Sequence, residues 1–296
     1  MKNKNLKKRI ISKLEVKGSN LIKGCQFDGL RSLGLASNFA KKYFQDGIDE
    51  IIYQDIVASL YDTEPKYDEI KKISENTFVP ITVAGGIKRL DQIKKIFDAG
   101  ADKIAINTSA ILNPKLLEES SKEFGSQSVV SSIEIYSESD FENNLKSRKI
   151  WIKNGKEETK INLIDWINQV QDYGVGEILI TSIEKDGMGK GLDVHLANEI
   201  GEITKVPVII SGGAGSVKDV INFFKKTNIN AVCISSLFHY HYYKFFDTSP
   251  FKNYKKLRAG ENIDIGNYDF INHGYGQQKY NFVKPISIFD LKKIIK

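Results

Sequence analysis

Two glutamates give the first suggestion of chemistry. Glu15 closes the run Lys13-Leu14-Glu15, and Glu134 closes Ser131-Ser132-Ile133-Glu134. Carboxylates at the C-terminal ends of parallel strands are candidates for general acid and general base. A solvated rim carboxylate would look the same in sequence. Asp55, Asn107, Thr181 and Asp186 stand at comparable strand ends and would line the same cavity. Two glycine groups come next. Gly85-Gly86 and Gly212-Gly213-Ala214-Gly215 each follow an apolar run directly. Glycines there let backbone N–H groups approach an anion, though they also serve plain tight turns. Gly213, Gly215, Ser235 and Ser236 fit the phosphate site that barrels build from the loops after their last two strands. Two such grips imply a long ligand with a phosphate at each end. A third set, Arg9, Glu50, Lys103 and Glu177, stands at strand starts. Two cations and two anions there would either solubilise that face or close a salt-bridged ring around an axis. The four histidines, His195, His239, His241 and His273, lack metal-ligand spacing, with His239-Tyr240-His241 the nearest approach to it. No P-loop, dinucleotide fingerprint or nucleophile elbow occurs, so no metal or cofactor is expected.

The elements that would position these residues follow from the apolar pattern. Eight β-rich runs recur: 9–16, 50–54, 79–84, 103–106, 128–133, 177–181, 206–211 and 231–235. Most are continuously apolar, as strands of a buried parallel sheet are. Amphipathic stretches such as 89–99 and 164–173 separate them. Strand and helix alternating in this way predict an α/β fold, a (β/α)8 TIM barrel. The chain also echoes itself. Val79-Pro80 leading to Gly85-Gly86 resembles Val206-Pro207 leading to Gly212-Gly213, and Gly47 to Ile52 resembles Gly174 to Leu179. Val79 and Val206 stand 127 positions apart, as do Glu50 and Glu177. A shared offset predicts twofold internal symmetry between fused half-barrels, which closure spares open sheet edges. One domain, 1–296, is expected, with two interruptions. Segment 138–160 follows the fifth strand, is polar and turns at Asn154-Gly155. Segment 240–284 follows the eighth strand, is rich in Tyr, Phe, Asn and Gly, and precedes a helical stretch at 286–296.

The whole chain sets bounds on function. It has 296 residues, 41% of them hydrophobic, enough for a large core. Net charge is +6, but the lysines are dispersed, with one dense block at Lys2 to Arg9. Dispersed lysine makes a solvated surface rather than a nucleic-acid footprint. The two cysteines, Cys25 and Cys233, build no disulfide framework, and the expected compartment is the reducing cytoplasm. No apolar run is long enough to span a bilayer.

Ordered blocks of the chain resemble the HisF family, the cyclase subunit of imidazole glycerol phosphate synthase. They include Lys8-Arg9-Ile10-Ile11, Asp46 to Glu50, Asp55 to Ser59, Gly100 to Ile104, Ile106-Asn107-Thr108, Phe124 to Gln127, Gly176 to Leu179, Lys185-Asp186-Gly187 and Ser211 to Gly215. The resemblance runs from about Lys8 to His239. It implies a bisphosphate ligand, a HisH-type glutaminase docked at the strand starts, and ammonia passing through the core. It makes Arg9, Glu50, Lys103 and Glu177 a charged ammonia gate and turns Asp102 towards the glutaminase. It adds Lys23, Thr108 and Gly187 to the phosphate and substrate set of Gly85, Gly86, Asn107, Thr181, Asp186, Gly213, Gly215, Ser235 and Ser236.

The departures fall at the chemical end. Where the family has two catalytic aspartates, this chain has Glu15 and Glu134, and Asp-Gly-Thr becomes Asp186-Gly187-Met188. This pattern resembles a HisF-like branch of the WbuZ or AglZ type, linked to sugar amidation. The expectation is an ammonia-conducting subunit serving acetamidino-sugar synthesis for surface polysaccharides, with a separate sugar amidotransferase as a further partner and weak cyclase activity of its own. The alternative is a true cyclase of histidine biosynthesis. A third reading, a barrel that only scaffolds other proteins, is disfavoured by the intact gate.

Overall fold

A computed structural model describes residues 7–137, 145–246 and 283–295. Its strands, in chain order, are β1 (Arg9–Lys17), β2 (Asn20–Cys25), β3 (Asp28–Leu35), β4 (Glu50–Asp55), β5 (Ile81–Ala84), β6 (Lys103–Ile106), β7 (Val129–Tyr136), β8 (Lys149–Ile152), β9 (Glu157–Asn162), β10 (Glu177–Ser182), β11 (Val208–Ser211) and β12 (Ala231–Ile234). Eight of them run parallel in the order β1-β4-β5-β6-β7-β10-β11-β12. The sheet closes where β12 pairs with β1, Arg9 opposite Ala231. Helices lie between the strands, as the alternating pattern predicts, and the fold is the expected (β/α)8 barrel.

Alternation along each strand divides the apolar residues into two sets. Outward residues such as Ile10, Leu14, Ile51, Ile104 and Ile178 form one continuous core with the helices. Inward residues Ile11, Ile52, Ala84, Ala105, Val130, Leu179, Ile209, Ala231 and Cys233 form a separate cluster inside the barrel. The helices obey the 3.6-residue period. Leu90–Asp98 buries Gln92, Ile93 and Ile96, and the Gln92 side chain accepts the N–H of Arg89 at 3.1 Å to close the first turn. Asn162 caps Leu163–Asp172 by accepting from Ile164 at 2.9 Å.

The internal echo is visible in three dimensions. Gly85 and Gly212 both have φ of +101°. A Cβ at Gly85 would overlap the Asp55 carbonyl, and one at Gly212 the Ser182 carbonyl. Pro80 and Pro207 likewise correspond, and their carbonyls accept from Ile51 and Ile178 at 3.0 Å each. Proline has no N–H to offer the ladder, so these strands begin at Ile81 and Val208, two residues later than the apolar run suggests.

Four strands were not expected. β2 and β3 form an antiparallel hairpin directly after β1, and β8 and β9 form another after β7. Their alternation is short and broken by glycine or lysine, so they read as loop. The second hairpin occupies most of segment 138–160 and turns at Asn154 and Gly155, both at positive φ as expected. Residues 138–144 lie outside the described residues. Segment 240–284 begins inside the helix Ser236–Tyr242, residues 247–282 lie outside the described residues, and a final helix occupies Ile288–Ile295. Among the described residues no helix is long and apolar enough to cross a membrane.

One prediction tests the turn geometry. Gly85→Ala places a methyl group against backbone at a left-handed φ, so it is expected to cost more than about 2 kcal/mol. A urea titration against wild type measures this, and a cost within error of zero would show that the turn relaxes freely.

Candidate functional site

The site runs along the barrel axis, and β1 shows its layers. Arg9, Ile11, Lys13 and Glu15 share the inward face. Arg9 pairs with Glu50 at 2.6 Å and with Glu177 at 2.5 Å. Lys103 closes the ring, to Glu50 at 3.2 Å and to Glu177 at 2.9 Å. All four residues expected to form a ring are therefore in one, each cation touching both anions. Above it the apolar cluster of Ile11, Ile52, Leu179 and Ile209 forms a throat. Asp102 is exposed on the strand-start face, with one oxygen accepting the Ile81 N–H at 2.8 Å.

Past the throat lies a buried ion network. Glu15 Oε2 accepts from Lys23 at 2.7 Å, and Lys23 also donates to Asp186 Oδ2 at 2.7 Å. Glu15 Oε1 faces Lys13 at 3.2 Å. Lys23 is thus bound to two carboxylates rather than standing free for a phosphate. Burial acts to raise the Glu15 carboxyl, but Lys23 and Lys13 outweigh it and hold it down to about 2. Glu134 differs. Burial raises it to about 7, against the opposing charge of Lys13 and the Gly155 N–H, which donates to Glu134 Oε2 at 3.2 Å. Two carboxylates with the same side chain are pushed apart by their neighbours, one ionised and one holding its proton near neutrality.

Both hairpins reach over this mouth. A Cβ at Gly155, on the β8–β9 turn, would stand 2.9 Å from the Phe27 ring on the β2–β3 turn. Lys153 N–H donates to Thr108 Oγ1 at 3.0 Å, and Asn107 Nδ2 donates to the Trp151 carbonyl at 3.3 Å. Asn107 and Thr108 thereby hold the hairpin. Both also line a cavity of about 340 Å³ with Gly85, Gly86, Asp55, Glu134 and Asn154. The twofold-related place is a cavity of about 10 Å³, lined by Asp186, Gly187, Gly213, Ser235 and Ser236. Ser235 Oγ donates to the Lys13 carbonyl at 3.2 Å. Gly215 does not fit its expected role, because its N–H is taken by Asp219 Oδ2 at 3.0 Å in the cap of the next helix. Thr181 is buried on the inward face of β10. His239 is buried and shares a 2.6 Å hydrogen bond with Tyr43, while His241 lies elsewhere on the helix surface.

Sequence reading missed two residues here and one property of a third. Lys13 is fully buried on the axis, and its signal was a lysine at an inward position between Ile11 and Glu15. Asp55 was placed in the cavity, but not that its Oδ2 is buried without a partner. Arg148 is buried and bridges Glu184 at 3.2 Å and Asp193 at 2.7 Å, tying the segment before β8 to the loop that carries Asp186. Nothing in the local pattern marks it, since its partners are distant in sequence.

Residues 9–244 match the family described as histidine biosynthesis protein. The chain is 37% identical over 243 residues to the imidazole glycerol phosphate synthase subunit HisF of Streptococcus mutans, covering 82% of this chain and 95% of that one. It is 37% identical over 256 residues to the subunit of the same name from Natranaerobius thermophilus, covering 86% and 98%. The Petrotoga mobilis subunit is 39% identical over 240 residues, covering 80% and 92%.

The split carboxylates give opposite pH signatures. Glu134 keeps its proton in the fold up to about 7, whereas the unfolded chain releases it near 4.5. Native protein therefore binds more protons in that window, and stability falls as pH rises through it. Glu134→Gln removes this loss, so the mutant is expected to gain on wild type from about pH 4.5 to 7, by on the order of a few kcal/mol. Glu15 contributes the reverse: its stabilisation is present above about 4.5 and is lost as pH falls towards 2. Denaturation of both proteins across pH checks this, and parallel curves would refute the raised Glu134.

Proposed function

Because the chain belongs to the HisF family of histidine biosynthesis proteins, we propose that it is the ammonia-using synthase subunit of a glutamine amidotransferase. A HisH-type glutaminase would dock on the strand-start face around Asp102 and feed the barrel. The observation that supports this reading is the layering of the axis: a closed ring of two cations and two anions, an apolar throat, then carboxylates. Neutral ammonia loses little on entering an apolar throat, whereas ammonium would lose its hydration without compensation. Opening a single ion pair of the charged ring would admit ammonia, and the closed ring would keep water out.

At the mouth the proposed reaction is that of imidazole glycerol phosphate synthase. A phosphoribulosyl-formimino aminoimidazole carboxamide ribotide and ammonia give imidazole glycerol phosphate, an aminoimidazole carboxamide ribotide and water. Glu134, protonated near neutrality, and Glu15, ionised, form a pair suited to acid and base roles. The glycine turns at Gly85-Gly86 and Gly212-Gly213 would take the two phosphates. The names carried by the relatives support this histidine-pathway reading over sugar amidation. One observation still favours the second reading. Both acid positions carry the longer glutamate, and Glu15 is bound by two lysines. In that case ammonia would leave the barrel for a separate sugar amidotransferase.

Two experiments follow. Purified protein given the nucleotide and an ammonium salt is expected to release imidazole glycerol phosphate, and the gene is expected to restore growth of a histidine auxotroph lacking its cyclase subunit. Folded protein that does neither would overturn the cyclase half of the proposal and leave the amidation reading. The second concerns the ring. Removing Lys103 opens the ring on one side and leaves Glu50 and Glu177 sharing Arg9 alone, at a cost below the roughly 3–5 kcal/mol of a fully unpaired buried charge. Lys103→Met is therefore expected to lower the product made per glutamine hydrolysed while the ammonia-driven rate stays near wild type. Unchanged coupling in a complex with the glutaminase would show that the ring is ordinary surface charge.

A further inference from the structure

Lys13 is the buried group at the mouth to which the proposed reaction gives no task. Its place is set by the pleat of β1. Arg9 below it belongs to the ring, Ile11 to the throat, and Glu15 above it to the carboxylate pair, so the Lys13 ammonium stands between throat and carboxylates. The side chain is 1% exposed. The charged and titratable groups facing it are Glu15, Glu134, Asp186, Lys23, His239 and Cys233, the last belonging to the throat. The Phe27 ring covers it from the mouth side, 5.5 Å from the nitrogen. An ammonium has three donors. Among the described residues this one makes a single ion pair, with Glu15 Oε1 at 3.2 Å. Lys23 is shared between Glu15 and Asp186, so Lys13 supplies the second positive charge facing these two carboxylates, and its single ion pair leaves donors of the ammonium unspent.

We infer that Lys13 receives ammonia at the inner end of the throat, donating a hydrogen bond to the lone pair of the neutral molecule and turning ammonium back. This rests on the ammonia-using reading above and names the residue that would meet the ammonia. No covalent bond forms or breaks. Ammonia has a lone pair to accept with, while ammonium has none and carries the same charge as Lys13. While the hydrogen bond lasts the lone pair is occupied, so ammonia becomes the nucleophile only on leaving Lys13 for the mouth. Burial alone would drive the proton from Lys13, but the Glu15 and Asp186 carboxylates outweigh it and keep the proton on. A group that holds its proton this firmly binds ammonia without converting it to ammonium.

The test has a binding arm and a kinetic arm. In the binding arm, the Lys13 side-chain ammonium resonance of labelled protein is identified by its loss in Lys13→Gln. Ammonium chloride is then added at mildly alkaline pH, where much of the ammonia is unprotonated. A saturable shift is expected, absent with sodium chloride at the same ionic strength. No shift overturns the inference. In the kinetic arm, Lys13→Met is expected to raise KM for ammonia about ten- to hundredfold, the worth of one hydrogen bond to a charged group, with a smaller change in kcat. Lys13→Gln keeps a donor without the charge. It is expected to retain most of the ammonia affinity but to be inhibited by ammonium at fixed free ammonia. Should Lys13→Met fail to fold, Lys13→Gln carries this arm. Wild-type KM in both variants, or a loss confined to kcat, would reduce Lys13 to a support for Glu15. A saturable shift in a protein that makes no imidazole product would instead leave the ammonia site standing and remove the cyclase reading.

Discussion

A charge inside a closed barrel has no water to turn to, so it must meet its opposite there. Both ends of this barrel are organised by that requirement. At the strand starts Arg9 and Lys103 each touch both Glu50 and Glu177. At the mouth Lys13 and Lys23 share Glu15, and Lys23 reaches Asp186 as well. Paired charges of this kind add little net stability, because desolvation offsets most of the attraction. What they fix is geometry. In the ring each side chain is held by two partners from different strands, and at the mouth Glu15 and Lys23 have two partners each while Lys13 and Asp186 have one. The apolar cluster between the two charged layers keeps them spatially apart, so neither layer pairs with the other.

The twofold symmetry of the backbone is not carried through to the site. Gly85 and Gly212 have the same φ and lean on corresponding carbonyls. Each half also follows its first strand with an antiparallel hairpin. Yet the cavity beside Gly85 is about 340 Å³ and the one beside Gly213 about 10 Å³. The side chains explain the difference. Beside Gly85, Glu134 receives one backbone N–H and Asp55 leaves an oxygen without a partner, so space remains. Beside Gly213, Lys23 draws Asp186 inward and the loop follows it. An elongated ligand would therefore enter with its larger part towards Glu134.

How much of this could be read from sequence depends on whether the signal was local. The eight parallel strands were legible because a strand buried on both faces is continuously apolar. The charged ring was legible because Arg9, Glu50, Lys103 and Glu177 occupy equivalent strand starts, which closure brings together. The hairpins were not, since β3 and β9 carry exposed faces and β2, though buried, is interrupted by Lys23 and Gly24. The partner of the Gly215 N–H was not legible: it satisfies the end of its own helix through Asp219, a bond that an anion would have to displace. Nor were the two carboxylates that hold Lys23, because they lie 8 and 163 positions away. Sequence identifies a lysine near a mouth, but only the fold decides whether it faces a ligand or a carboxylate.

The two glutamates are best understood together with the lysines. A carboxylate on a longer arm than aspartate sits about a bond length further out, and misplacement of that order is costly to a reacting group. Glu15 does not hang free at that reach. Lys13 draws one oxygen towards the throat while Lys23 takes the other. Held from both sides, the longer arm has as little freedom as a shorter one would. Glu134 is restrained differently, by the Gly155 N–H of the Asn154-Gly155 turn and by the Gln54 side chain of β4, and that turn is in turn anchored by Thr108 through Lys153. Its position therefore depends on the hairpin as well as on the barrel. The two carboxylates thus differ in restraint as well as in protonation: the ionised one is held by side chains alone, and the protonated one partly by a backbone that lies across the mouth. A proton donor positioned by the same element that covers the ligand would be brought into line when that element closes, which couples its chemistry to occupancy of the cavity.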